Sequence, residues 1–382
     1  MAASQFFLSP QAKAWGYTNQ AHEGGLCTCS DTLLGYWIIL SLLRGILGEE
    51  DKRIEDELET AKDLCKWLGY LPLGLELVGR YLVEDADLSI AEILEELKEE
   101  RLEYEAINPD SEDLEDTEMT ARLGVKAAFY LTWEKLDDKT REVGELLSLF
   151  NPNEIAWKYV ESVSNLLSWK KKDVRNAKKQ LHGRNVIKRL GEGEEASYQI
   201  HPLIREFLQV KLKASSQIKE LKQAFTDTFI EISKTTPETP TLEFRNSIKN
   251  AIPHLTEVAE NHLDVVCDEN FIWAFLSVAR FYEGQSYKLA QPWYEQCLST
   301  VRTRSACYAG LSRLGENHPD TATSLNDLAN LYSRQGKYEQ AEPLYIQAVE
   351  IVERVLGTNH PSTVIIRNNF ENLRKKQGES EG

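Results

Sequence analysis

The sequence has no apolar run long enough to span a bilayer. Its most apolar stretch, Leu33 to Leu43, is short and followed at once by Arg44, which predicts a buried helix rather than a membrane anchor. No basic segment leading into an apolar core and a cleavage site is seen near Met1, so no secretory signal is read and the expected compartment is the cytoplasm. There are six cysteines, Cys27, Cys29, Cys65, Cys267, Cys297 and Cys307, with no Cys-x-x-Cys pair and no histidines at zinc-like spacing. Cys27 and Cys29 lie close together but lack further metal ligands nearby, so the six are expected to be reduced, mostly buried thiols. Basic charge is short as well. With 44 Lys and Arg against 61 Asp and Glu, the net charge is -17, which argues against a chain that coats nucleic acid or anionic membrane as a whole, although patches can differ in sign.

The glycine-rich phosphate loop is also missing. No Gly-x-x-x-x-Gly-Lys-Ser/Thr stretch occurs, and Gly336-Lys337 is followed by Tyr338. Binding a nucleotide by that device needs backbone amides converging on the phosphate, a lysine and a metal-holding hydroxyl. Leu263 to Glu269 looks superficially like an apolar strand ending in a metal-binding aspartate; without the loop upstream it reads better as a boundary between helices. No Ser-His-Asp, paired-carboxylate or metal constellation points to another enzyme.

What the chain does have is self-similarity. A stretch beginning at His318-Pro319 returns to His-Pro 42 residues later, at His360-Pro361, and such a period means stacked supersecondary units. Leu325, Leu328, Ala329 and Tyr332 fall on one helical face that Gly336 can end, and Ala341, Tyr345 and Ala348 mark, with Tyr338, one face of a second helix. Phe275, Val278, Ala279, Tyr282, Ala290, Pro292 and Tyr294 repeat the pattern earlier, with Cys297 where the later copy has Ala348. A third copy departs from it, placing Arg367, Glu371 and Arg374 where Leu325, Ala329 and Tyr332 stood. It keeps the single stripe Ile366, Phe370 and Leu373, which reads as a polar cap on the array or as a decaying repeat. These residues resemble a tetratricopeptide repeat of the long, kinesin-light-chain-like kind, although an ordinary helical hairpin has the same spacing.

At 382 residues the chain has room for two or three domains, each with a core. Residues 1-30 carry no sustained periodicity. From Asp31 the pattern is helical; Gly69 breaks one helix and Pro72 opens the next. Residues 92 to 118 hold thirteen acidic residues against two basic ones, read as a solvated helix face and linker or as a docking strip for a basic partner. Trp133 to Phe150 and Ile155 to Leu167 are each expected to be one helix. Asp173 to Leu190 is a third running into a strand, Gly191 and Gly193 supply a turn, and Ser197 to Ile200 pairs back. His201 then stands before Pro202, at the first turn of a further helix.

Gly69-Tyr70-Leu71-Pro72-Leu73 resembles the GLPL segment of NB-ARC or STAND signalling ATPases, and the string from His201 to Leu208 resembles the histidine segment that closes their winged-helix domain. The resemblance implies that Pro72 sits against the adenine of a nucleotide and that His201 reaches the phosphate of ADP. A histidine before a helix is also commonly just a capping or packing residue. The expected fold class is therefore mainly α: an atypical segment (1-30), a helical ARC-like domain (31-120), a winged helix with a small β-hairpin (121-213), a helical spacer (214-265) and a short α-solenoid of tetratricopeptide repeats with a polar capping helix (266-378).

The leading functional reading is a non-catalytic signalling adaptor, the regulatory and repeat half of a STAND-type protein without its ATPase core. A protein or peptide ligand would lie on the repeat surface against Asn326, Asn330, Arg334, Gln347 and Glu350. No cofactor is expected for the chain alone, although the family binds ADP or ATP, and neither membrane nor nucleic acid is an expected partner. One alternative is DNA binding by the winged helix through Lys170, Lys171, Lys172, Arg175, Lys178, Lys179, Arg184, Lys188 and Arg189. Another is nucleotide sensing through Pro72 and His201, completed by a separate chain that supplies the phosphate loop.

Overall fold

A computed structural model describes residues 33–107, 117–191, 196–307 and 317–380. They fall into two units that divide between Ser215 and Ser216, with Leu149–Asn151 and Asn165–Leu167 belonging to the second. The architecture is mainly α, with one small sheet in the first unit. Among the described residues, no helix is long and apolar enough to cross a membrane.

In the first unit, α1 (Leu33–Leu47), a short α2 (Arg53–Asp56) and α3 (Leu58–Trp67) lead into a turn. Gly69 and Tyr70 both take positive φ there, 60° and 56°. Their N–H groups reach back to the carbonyls of Lys66 and Cys65, each at 2.9 Å, satisfying acceptors that a helix end leaves open. Leu71 is extended, as the residue before a proline prefers, and Pro72 opens α4 (Pro72–Glu84) at a position where a missing N–H costs nothing. Helix α1 packs on α4. Gly79 lets them approach, since a Cβ there would stand 2.8 Å from Ile46 Cγ2. Arg53, paired with Asp51 at 2.6 Å, donates to the carbonyls of Leu82, Asp85 and Leu88 and closes the far end of α4. A capping box starts α5 (Ile90–Ile107): Ser89 Oγ accepts from the Glu92 N–H at 3.1 Å, and the Glu92 carboxylate accepts from the Ser89 N–H at 2.8 Å.

The rest of the unit is α6 (Thr117–Glu134), α7 (Asp138–Leu147), β1 (Ile155–Ala156), α8 (Trp157–Leu166), α9 (Lys171–Gly183), β2 (Ile187–Leu190), β3 (Ser197–Ile200) and α10 (Pro202–Ala214). Two sequence expectations are corrected here. Trp133 to Phe150 is not one helix, because Asp137 is extended and its carboxylate accepts from the Thr140 N–H at 2.8 Å, starting α7 afresh. Nor is Ile155 helical. Ile155 and Ala156 pair antiparallel with Tyr198 and Ser197, so a third strand joins the expected antiparallel pair of β2 and β3, and β3 is central in a sheet of order β1-β3-β2. Phe207 of α10 meets Phe129 of α6 edge-on, ring centroids 4.7 Å apart.

In the second unit, α11 (Ile218–Lys234), α12 (Leu242–Ile248) and α13 (Ile252–Asn261) precede two single turns of 3-10 helix, Leu263–Val265 and Asp268–Asn270. Phe150 packs against Phe225, Phe229 and His254, with centroids 4.9, 5.8 and 5.1 Å away. Then come α14 (Trp273–Glu283), α15 (Tyr287–Cys307), α16 (Pro319–Arg334), α17 (Tyr338–Leu356) and α18 (Pro361–Ser380), each packed on the next. Gly336 takes φ 74° between α16 and α17, which lets the Lys337 N–H reach the Tyr332 carbonyl at 2.9 Å and turn the chain back. Of the cysteines, Cys65 and Cys297 are buried and Cys267 is exposed. Cys27 and Cys29 lie outside the described residues, as does most of the acidic loop after Ile107.

Candidate functional site

Helices α16 and α17 meet through their small residues. Ala329, Ala341 and Ala348 are each 0% exposed, and Leu325, Leu328 and Tyr345 are buried with them. The alanines let the backbones close up, and the Tyr345 ring fills the space they leave, stacking on Phe370 of α18 with centroids 5.9 Å apart. Tyr332, half-buried, donates to Glu295 at 2.9 Å, and burial pushes its hydroxyl pKa up to about 12. Along α18, Ile366 and Leu373 are buried and Phe370 half-buried, while Glu371 and Arg374 are exposed. That helix therefore buries one stripe only.

Of the five residues expected to line a partner groove, Asn326, Asn330 and Arg334 are engaged by the fold. Asn326 is buried: its amide donates to Asp327 at 3.1 Å and its oxygen accepts from Asn369 at 3.0 Å. Asp327 is itself buried and paired with Arg280 at 3.2 Å, and Arg280 also donates to the Thr236 carbonyl. This network ties α14, α16 and α18 together through polar groups that an apolar pattern does not mark. Asn330 accepts from the Tyr345 hydroxyl, and Arg334 pairs with Glu283.

Gln347 and Glu350 do border a cavity, of about 500 Å³. Its floor is Thr321, Leu325 and Ile351, all buried, and its rim also carries Arg302, Asn317 and Arg354. Arg302 of α15 donates to Gln347 Oε1 at 3.2 Å across 45 positions of sequence, and Arg354 donates to Asn317 Oδ1. Sequence reasoning missed both arginines because neither occupies a repeat signature position; only the stacking of helix pairs brings them to one opening.

A tetratricopeptide repeat family model matches residues 321–362. This stretch is a tetratricopeptide repeat. It spans most of α16, all of α17 and the start of α18, so the buried alanines and Tyr345 are the packing core of that repeat. No curated protein matches the chain by sequence. Among solved structures, a Signal Transduction ATPase with Numerous Domains (STAND) protein with a tetratricopeptide repeat sensor, from Pyrococcus horikoshii, aligns at 16% identity with a TM-score of 0.37. The alignment covers 88% of this chain and 44% of that one, so the chain spans less than half of its length. A likeness at that score fixes neither fold nor function.

In the first unit, Pro72 lies at the start of α4 and His201 at the start of α10; both helices pack on α6. His201 Nδ1 accepts from the Leu203 N–H at 3.2 Å, capping α10, and burial lowers its pKa below 6.5. The same device recurs before the repeats, where His318 Nδ1 accepts from the Asp320 N–H at 3.1 Å and His360 Nδ1 from the Ser362 N–H at 3.2 Å. His201 thus has a structural task whatever else it contacts.

The basic residues between Lys170 and Arg189 divide. Lys170, Lys171, Lys172, Arg175, Lys179 and Arg189 are exposed. Lys178 covers the rings of Trp157 and Tyr198 at 4.9 Å each, Arg184 pairs with Glu84 at 3.0 Å, and Lys188 is half-buried. Among the described residues, no group of three or more His, Cys, Asp or Glu is placed to hold a metal ion.

Proposed function

We propose that this chain is a non-catalytic interaction protein whose tetratricopeptide repeats take a protein or peptide segment. On this reading it forms the regulatory and repeat half of a STAND-type molecule, acting in the cytoplasm without the ATPase core. The observation that carries it is the cavity between α15, α16 and α17, whose rim of Arg302, Gln347, Glu350 and Arg354 offers charged and polar groups that can orient a ligand. The sequence supports the absence of catalysis, since it supplies none of the groups that grip a triphosphate. In a pull-down with the full chain, Gln347→Lys combined with Glu350→Lys should release the partners that the unaltered chain retains. Partners held equally well by that variant would sink the reading. Fluorescent ADP titrated into the purified chain should show no saturable binding, whereas tight magnesium-dependent ATP occupancy would end the adaptor account.

A second reading is favoured by one observation: the outward face of α9 carries Lys171, Lys172, Arg175 and Lys179 in an otherwise acidic chain. A duplex of about two helical turns tests it at two ionic strengths, because binding through phosphates weakens steeply as salt rises. Affinity that is absent at low salt, or unchanged by Lys171→Glu with Lys179→Glu, removes this reading and leaves the first intact.

A further inference from the structure

The basic helix α9 carries a charge pattern that its own packing does not use. At 3.6 residues per turn, Lys171, Lys172, Arg175, Lys179 and His182 fall within about 100° of arc and extend over about 17 Å. All five are exposed, and Lys170 precedes them at the N-cap. The positive field widens at the far end of the helix. Burial lowers the His182 pKa, and Arg189 of β2, Arg80 of α4 and Lys178 push it lower still. Three elements of the first unit thus gather cations around one exposed ring, in a chain of net charge -17. At the near end stands an apolar side chain. Leu166, the last residue of α8, is 58% exposed. The turn that follows it is closed, since Ser168 takes φ 56° and the Trp169 N–H returns to the Ser164 carbonyl at 2.9 Å. That closure keeps Leu166 beside the lysines that begin α9.

We infer that this face docks on an anionic lipid surface, with the row along α9 lying flat over the headgroups and Leu166 inserted between them. Lysine is a strongly hydrated point charge, suited to delocalised attraction rather than to the two-point reading of base edges that arginine and asparagine perform. A row spread along a helix, widened by Arg80 and Arg189, can meet a plane along its whole length. An exposed leucine gains nothing from phosphates but does gain from entering the acyl boundary, and a charge patch with an apolar anchor is the pair of signals that holds a protein on a lipid surface. The acidic remainder of the chain does not cancel the attraction, because at physiological ionic strength exposed charges more than about 8 Å away are largely screened. Each basic residue near such a surface contributes about fivefold in affinity, and one inserted leucine adds about tenfold. The inference goes beyond the repeat reading and competes with the duplex reading for the same helix.

The test mixes the full chain with vesicles of phosphatidylcholine and phosphatidylserine, with pure phosphatidylcholine as control, and measures the fraction that sediments with lipid at two ionic strengths. The chain should sediment with the mixed vesicles alone, and less of it as salt rises. Lys171→Glu with Lys179→Glu should weaken that binding by about 25-fold or more. Leu166→Ser should weaken it by about tenfold while leaving the salt dependence unchanged. All three side chains are exposed, and unchanged melting temperatures confirm that the variants fold. No lipid binding at low salt, equal retention on pure phosphatidylcholine, or a Leu166→Ser variant that binds like the unaltered chain would each overturn the inference. A DNA duplex bound while the vesicles are not also overturns it and leaves the second reading in place. Partner capture through the repeats is independent of all these outcomes.

Discussion

Three His-Pro dipeptides open helices in this protein, and in each the imidazole Nδ1 takes the place of a serine or aspartate oxygen at the N-cap. The role requires an unprotonated nitrogen, so it is lost when the ring gains its second proton. For His201 the folded pKa lies below the 6.5 of the unfolded chain. Its contribution is therefore complete above pH 6.5 and disappears as pH falls through the lower, folded value. His201→Ala should cost about 1 kcal/mol at neutral pH, and His201→Asn should keep the cap while flattening that part of the pH profile. Urea titrations from pH 7.5 to 5 compare the two; an equal slope for His201→Asn and the unaltered chain would contradict the assignment.

Arg280 and Asp327 form the other decisive residue pair. Burial pushes the Asp327 carboxyl pKa upward, with Arg280 opposing it, as expected where desolvation rivals the attraction. Removing one partner alone leaves a buried charge unanswered, so Arg280→Met should destabilise the second unit by about 3–5 kcal/mol. Arg280→Met with Asp327→Leu should recover most of that loss. A double variant no more stable than the single one would show that the pair matters through shape rather than charge.

At the scale of elements, two glycines in helices of the first unit should respond in opposite directions to the same change. Gly45 in α1 has nothing within 4 Å of an added Cβ, whereas at Gly79 in α4 the methyl would meet the stiff, β-branched Ile46 at 2.8 Å. Gly45→Ala should stabilise by up to about 1 kcal/mol through helix propensity. Gly79→Ala should destabilise by about 1–3 kcal/mol because overcrowding outweighs propensity. Thermal melts of both variants decide the matter, and a gain at Gly79 would mean that α1 and α4 are less tightly packed than described. The break at Asp137 follows the same logic, since an aspartate that bonds the N–H three residues on offers the backbone a better ending than a continuous helix.

At the scale of the whole molecule, each unit holds sequence-remote residues together, and this is where reading along the chain stops. The alanine and tyrosine face of α16 and α17, the proline starts at Pro72 and Pro202, and the strand Ser197–Ile200 were all legible. Each is encoded within a few residues by periodicity, capping and turn chemistry. The strand at Ile155 was not, because a two-residue strand has no period and exists only where β3 offers an edge. The rim of the repeat cavity was only partly legible: Gln347 and Glu350 reach it, but Asn326 is drawn inward by Asn369, 43 positions away, and the arginines arrive from separate helix pairs. The sequence by itself determined which segments are helices and that the later ones repeat, because those properties reside in neighbouring side chains. Which polar groups the repeats bury and which they bring to the cavity rim was decided by the stacking of one pair on the next, since partners some 45 residues apart carry no local signal of each other.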